Sequence, residues 1–477
     1  MKIRAIYWSP VGSPEFALFL AIGLLALAVR VLWLTATLVL AGPQACFEPD
    51  SVSYIGPARM LLLGNGYSTL LPDGRLVPET MRTPGYPALL ALAMKLGRET
   101  WWISILRTQT VLGAVLVVVL GVVLRHCVSL HAALVAMAYY TLSLSSIISC
   151  SVIMTENLFT FTATLGLLLI LVAALDRQLP THRRKAADSA YLAPASALLG
   201  FAALLRPAAI YASLLTLVVG ALNGWPKTPW SGHIALHPAR ARKTLNNLVY
   251  ALLPFSLLVG GWIVRNGLAT GYWGLTSITE VSLLFYRGVP ALAQSTGTPV
   301  EILSDHYVGF FQLDNPWDQS PEALARRPAM RTEAVRLVLA NSASYAKNCW
   351  DGFRRLAYGF HQAEVSRLAG PGIARRLQNA AKYPMMGIWL LACSALVVWP
   401  PTRLLAGFLA VYLITVLGYE AYERFRIPVE PLLALGLGIS FHLIVQRLYP
   451  RRLSDSQRQS DQATVRQPAS GGATPRT

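Results

Sequence analysis

Charge is scarce in this chain. Of its 477 residues only 13% are Asp, Glu, Lys or Arg, against about 25% in soluble globular proteins. That shortage excludes an ordinary soluble domain and a largely disordered chain. Acid is scarcer than base, with 23 Asp and Glu against 41 Lys and Arg and a formal net charge of +18. Five Cys are too few for a disulfide scaffold. The sequence contains no Walker phosphate loop and no dinucleotide fingerprint set between a strand and a helix. It therefore offers no ATP-driven pump and no site for a soluble nucleotide sugar on the cytoplasmic side. No internal repeat is visible, which argues against an inverted-repeat transporter.

Apolar residues are abundant instead, at 54%, with a mean hydropathy of +0.47. The basic residues lie between long apolar runs, so the positive balance points to a membrane and not to nucleic acid. A helix crossing a hydrocarbon core needs about 20 mainly apolar residues. Ten runs are candidates: 16–40, 105–125, 131–149, 157–175, 191–206, 207–223, 247–264, 384–399, 403–419 and 427–446. The first follows Lys2 and Arg4 like a signal peptide, but its 25 residues exceed a signal core of about 7–15. It reads as a retained first helix.

With the N-terminus inside, eighteen Lys and Arg fall on inside segments and three, Arg206, Arg424 and Arg426, on short outside turns. That bias supports the orientation and an even number of spans. Two outside segments, 41–104 and 265–383, are too long to be turns. The apolar run 88–96 is too short to span and reads as an interfacial helix. The Arg/Ser/Gln-rich tail 451–477 reads as disordered and cytoplasmic. The expected class is an all-α polytopic membrane protein of the cytoplasmic membrane. Residues 1–450 would form one transmembrane domain of about ten helices with two large extracytoplasmic loops.

Polar groups at membrane depth are costly and point to function. Asp50 lies just past the first run and reads either as a general base at the lipid boundary or as an N-cap of the following helix. Glu156, on the same side, could complement a helix dipole, divide acid–base roles with Asp50, or share a divalent cation with it. Arg82, Arg206, Arg265, Arg424 and Arg426 are all outside. Together they suit an anionic ligand such as a lipid phosphate; singly, each could snorkel at a helix end. Arg30 falls inside the first run, facing inward or ending the helix. His306 and His361 have no partner at zinc spacing. Asp305, Asp314 and Asp318 with Trp317 suit either a sugar contact or a solvated loop. Cys46, Cys150 and Cys349 share the outside, leaving three pairings open.

Several motifs run in order along the chain: Asp50-Ser51-Val52-Ser53-Tyr54 with Ala58 and Gly64; Arg82-Thr83-Pro84-Gly85-Tyr86-Pro87; and Thr155-Glu156-Asn157-Leu158-Phe159. They continue with Leu205-Arg206-Pro207, Trp262-Ile263-Val264-Arg265-Asn266 and Arg424-Phe425-Arg426-Ile427-Pro428. This set, from about 16 to 446, resembles the membrane glycosyltransferases of GT-C architecture, in the protein mannosyltransferase-like and aminoarabinose-transferase-like superfamily. The resemblance implies transfer of a hexose or pentose from a polyprenyl-phosphate donor to an extracytoplasmic lipid, glycan or protein of the cell envelope. It implies Asp50 as catalytic base, Glu156 as a second acidic position, and Arg82 on the donor phosphate, with Arg424 and Arg426 beside it. Tyr54, Tyr86, Arg206, Arg265 and Asn266 would support the acceptor or the site. Many relatives carry adjacent Asp-Glu, whereas here Ser51 follows Asp50. The alternative from another class is a transporter or flippase of a lipid-linked anion, which would need polar groups at both leaflets.

Overall fold

The computed structural model describes residues 14–176, 189–222 and 238–449; the tail expected to be disordered lies outside them. The chain is a helical, multi-pass membrane protein. In order its helices are α1 (Pro14–Ala36), α2 (Ser51–Leu62), α3 (Gly85–Gly97), α4 (Trp101–Cys127), α5 (Leu130–Leu142), α6 (Leu144–Ile148), α7 (Glu156–Asp176), α8 (Ser189–Leu205) and α9 (Ile210–Ala221). They continue with α10 (Pro238–Thr270), α11 (Ile278–Leu283), α12 (Val289–Thr296), α13 (Val300–Phe310), α14 (Pro321–Ala340), α15 (Ser342–Tyr358), α16 (Gln362–Ala369), α17 (Pro371–Val398), α18 (Arg403–Val416) and α19 (Glu430–Leu448). A small antiparallel hairpin, β1 (Ser68–Leu70) with β2 (Leu76–Pro78), pairs Thr69 with Val77 in the first long segment, 41–104.

Six helical segments among the described residues are long and apolar enough to cross a membrane, and four shorter apolar helices accompany them. These ten occupy the ten expected runs, with one difference. The run 131–149 is not one helix: α5 ends at Leu142, and the Ser143 hydroxyl caps a separate short helix, α6, by accepting from Ser146 N–H. A side-chain cap offers the backbone a competing partner and breaks the run.

The helices divide into a buried pair and a periphery. α7 and α19 are mostly enclosed, whereas α1, α10 and α17 turn much of their apolar surface outward. Leu32 is 69% exposed and Leu257 67%. Apolar side chains facing outward on long helices are what lipid tails, not water, accommodate. Arg30 faces inward and does not end its helix. It donates to Ala26 O and Tyr140 O, both at 3.1 Å, and to Ser146 Oγ at 2.7 Å. These bonds tie α1 to α5 and α6 and satisfy most of the guanidinium donors away from water. At the end of α1 away from Asp50, Arg125 binds Glu15 in a two-pronged ion pair at 2.7 and 2.9 Å. The start of α1 and the end of α4 are therefore level.

The second long segment, 265–383, has a core of its own. Val281, Leu284, Phe285, Val289, Tyr307, Phe311, Met330 and Leu337 are buried together, separate from the main core of the bundle.

Close helix approach depends on small residues, as membrane bundles generally require. A Cβ added at Gly438 of α19 would strike the backbone oxygen of Ala132 in α5. Backbone cannot swing aside as a side chain can. Gly438→Leu should therefore cost about 1–3 kcal/mol, the usual range for overpacking. Thermal melting of the detergent-solubilised protein reads this as a lowered midpoint; an unchanged midpoint would show that the two helices separate freely.

Candidate active site

Five of the expected residues meet at one end of the bundle, joined in a single chain of ion pairs. Asp50 opens α2 as the N-cap by position, yet its side chain makes no capping bond. It turns instead toward two guanidinium groups: Oδ1 accepts from Arg82 and Oδ2 from Arg424, both at 3.2 Å. Arg424 continues to Glu156 through its Nε. Glu156 also receives Arg206 at 2.5 Å. The order is Arg82, Asp50, Arg424, Glu156, Arg206.

The two carboxylates sit in different surroundings. The Asp50 side chain is 44% exposed and that of Glu156 only 2%. Glu156 is thus the inner anchor and Asp50 the accessible group. Arg424 lies between them where a shared divalent cation was considered. Three guanidinium groups against two carboxylates leave a surplus positive charge, which disfavours a further cation and suits an anion. Among the described residues no group of three His, Cys, Asp or Glu is placed to hold a metal.

The local sequence explains how each side chain arrives. Arg206 is extended before Pro207, as a residue preceding proline prefers, and so leaves the axis of α8. Its guanidinium lies over the Phe425 ring, 4.9 Å from the centroid. Gly85 begins α3 against the end of α8, where a Cβ would meet Leu204 O. Only glycine allows that approach, which brings the Arg82 segment beside Arg206. Tyr54 presents both its ring, 4.5 Å from Arg82 Cζ, and its hydroxyl, 3.2 Å away, to Arg82. Tyr86 packs edge-on against Tyr54 and donates to Gln109. The Nε of Arg82 is buried with no partner among the described residues.

Ser51 accounts for the missing second carboxylate of the first motif. It is fully buried, accepts from Glu48 N–H at 2.9 Å and donates to Ile153 O at 2.8 Å. With Ile153 N–H bound to Cys46 O, it zips the Asp50 turn to the segment leading into Glu156. A carboxylate there would face a carbonyl oxygen without water.

Other expected residues stand elsewhere. Arg426 does not join the ion-pair chain. It is buried on Glu430 at 2.8 Å and on the carbonyls of Leu356, Ala357 and Gly359, locking α15 to the head of α19. Arg265 donates to Glu79 O and Tyr67 O, and Asn266 to Gly274 O and Leu275 O; both brace the long segments that contain those residues. His361 bonds Ser145, and Asp318 caps its own turn through Ser320 N–H. All five Cys are free. Burial pushes the Cys46 thiol up to about 11, so it stays unreactive.

Two supporting residues escape a reading of the sequence. Glu79 accepts from Met81 N–H at 2.6 Å, Arg82 N–H at 2.9 Å and Gln319 Nε2 at 3.2 Å. Gln319 in turn accepts from Thr80 and Met81 N–H. Burial raises the Glu79 carboxyl above its usual range against the pull of these donors. The only sequence signal for Glu79 is an acidic residue three positions before Arg82 in a charge-poor chain.

No protein-family model matches the chain, and no curated protein does. Among solved structures it is similar to the oligosaccharyltransferase AglB of Archaeoglobus fulgidus in complex with an inhibitory peptide and a dolichol-phosphate. That likeness has 12% identity and a TM-score of 0.38 over 92% of this chain and 52% of the other. The chain thus spans about half the length of that protein. It is also similar to ArnT of Cupriavidus metallidurans bound to undecaprenyl phosphate, at 12% identity and a TM-score of 0.37, over 89% of this chain and 77% of the other. Both are glycosyltransferases of GT-C architecture.

Removing Glu156 strands Arg206 in the interior. Glu156→Ala should cost about 3–5 kcal/mol, as breaking a buried ion pair does, whereas Asp50→Asn, at an exposed carboxylate, should melt close to wild type. Parallel melting curves check this; equal losses would mean that the inner and outer carboxylates are not distinguished by burial. Glu79→Ala leaves the Arg82 N–H without its acceptor, while Met81 N–H keeps Gln319; the loss of roughly 1–3 kcal/mol should lower the melting midpoint although Glu79 touches the five ion-paired residues only through the Arg82 backbone.

Proposed function

We propose that this protein transfers a sugar from a polyprenyl-phosphate-linked donor to an acceptor hydroxyl or amine on the extracytoplasmic side of the cytoplasmic membrane. The observation that carries this reading is the Arg82–Asp50–Arg424–Glu156–Arg206 chain at one end of an apolar bundle. It combines an accessible carboxylate, a surplus positive charge and a buried unpaired donor on Arg82. Near lipid, where the dielectric is low, such a cluster attracts a phosphate strongly. The ordered motifs that resemble GT-C glycosyltransferases support the same substrate class.

The donor phosphate exchanges into the contacts that Arg82 and Arg424 make with Asp50. Asp50, freed from those contacts, takes the proton of the acceptor hydroxyl as that oxygen attacks the anomeric carbon. The new glycosidic bond forms while the bond from that carbon to the lipid phosphate breaks, and the phosphate leaves with the electron pair. Arg82 and Arg424 stabilise its growing charge from fixed positions. A single displacement inverts the anomeric centre. Glu156 touches neither reactant; it positions Arg424 and Arg206.

Asp50→Asn tests the reading directly, because it removes the base and keeps the shape. Cells lacking this protein, complemented with wild type or with Asp50→Asn, are compared by mass spectrometry of lipid and glycan extracts. Null and Asp50→Asn cells should both accumulate a polyprenyl-phospho-sugar and lack one envelope sugar, with turnover reduced at least 10²-fold, in line with the loss of a general base. Full complementation by Asp50→Asn would sink the assignment. A sugar-free phenotype would favour transport of a lipid-linked anion.

A further inference from the structure

Beside the ion-pair chain lies a second feature that the proposed chemistry does not use. A cavity of about 520 Å³ opens between α15, the first turns of α17 and the residue before Arg424. Its wall has side chains of Tyr358, Gln362, Gln378, Asn379, Lys382 and Glu423. Not one aliphatic side chain lines it. The remaining charged groups are already occupied: Arg354 pairs with Asp351 at 3.6 Å, and Arg355 donates to the carbonyls of Ala421 and Tyr419. By contrast, Tyr358, Gln362, Gln378, Asn379 and Glu423 make no side-chain hydrogen bond or ion pair among the described residues. The Glu423 carboxylate is half-buried.

An acyl chain laid over these polar groups would leave them unpaired. It matches a ligand dense in hydroxyls. Each amide both donates and accepts, the carboxylate accepts, and the phenol does either. Sites built to hydrogen-bond hydroxyl groups discriminate strongly, because a ligand without them leaves the site's own groups unpaired. The position is also informative. Glu423 lines the cavity, and the next residue, Arg424, touches both Asp50 and Glu156. On the far side, Gly359 lines the cavity and its carbonyl is held by Arg426.

We infer that the cavity between α15, α17 and Glu423 is a carbohydrate subsite that seats the acceptor, and that the acceptor is therefore a glycan. This rests on the transferase reading for the word acceptor, but the binding site stands on the cavity alone. Glu423 and the amides of Gln378 and Asn379 hold sugar hydroxyls. The fixed backbone from Glu423 to Arg424 sets the distance between that sugar and Asp50.

Saturation-transfer NMR on the full-length protein in detergent tests the inference with three probes: maltohexaose, tetragalacturonate and a hexapeptide of Ser and Gly. At least one of the two glycans should receive saturation and the peptide none. Asn379→Trp fills the cavity from an exposed rim position and should weaken glycan binding tenfold or more; Glu423→Ala should weaken it threefold or more. Asn379 is exposed, so that variant should remain folded, and melting curves verify both. Asp50→Asn should bind glycan as wild type does. The inference is overturned by silence from both glycans, by wild-type binding in either cavity variant, or by saturation of the peptide alone. Failure of the transferase reading looks different: Asp50→Asn would keep its turnover, a result that leaves glycan binding untouched.

Discussion

One guanidinium group holds this end of the molecule together. Arg424 precedes α19, Glu156 begins α7 and Asp50 begins α2, so a single side chain joins three segments separated by more than 100 residues of sequence. α7 and α19 are the two enclosed helices of the bundle. Their packing fixes Arg424 and Glu156 relative to each other before any ligand arrives. Asp50, more exposed, is held from above by the same Arg424 and by Arg82. The site is therefore preorganised by the most enclosed part of the fold, while its accessible carboxylate, Asp50, remains at the surface of the bundle.

A set of bonds that are not part of the site keeps the two long segments in register with it. Residues 79–82 are gripped through their backbone by Gln319, Ser277, Thr276, Tyr67 and Arg265. The second long segment, with its own apolar core, thus acts as a clamp on the first. Arg426 performs the matching task on the other flank by tying α15 to α19. Neither clamp could be assigned from charge alone, because a cation seated on backbone carbonyls and one awaiting a phosphate read identically in sequence.

That distinction marks what was legible. The ten apolar runs and the placing of Asp50, Arg82, Glu156 and Arg424 toward one end of the bundle follow from hydropathy and from the cost of charge near lipid; that they meet in one chain of ion pairs does not. The division of 131–149 at Ser143 was hidden, since a serine cap weighs little against nineteen apolar-rich positions. Arg426 and Arg424 stand two residues apart, on different sides of a 3₁₀ turn, Glu423–Val429, and only the turn decides which faces the carboxylates. Glu79, Gln319 and Glu423 carry no periodic signal at all. Their significance is wholly in which partners they find, or, for Glu423, in having found none.

The ion pairs of Asp50 bear on the order of events in the proposed reaction. As the protein stands, Asp50 spends both oxygens on the two cations assigned to the phosphate. A carboxylate so engaged is poorly placed to accept a proton. A phosphate carries more charge than a carboxylate and forms comparable bidentate bonds to arginine, so it displaces Asp50 from Arg82 and Arg424 as it enters. Glu156 retains its hold on Arg424 throughout, because it approaches from the buried side. Binding of the donor and release of the base are then one event. An acceptor that arrives first meets a neutralised carboxylate, and the sugar is committed only when the lipid phosphate is already in place.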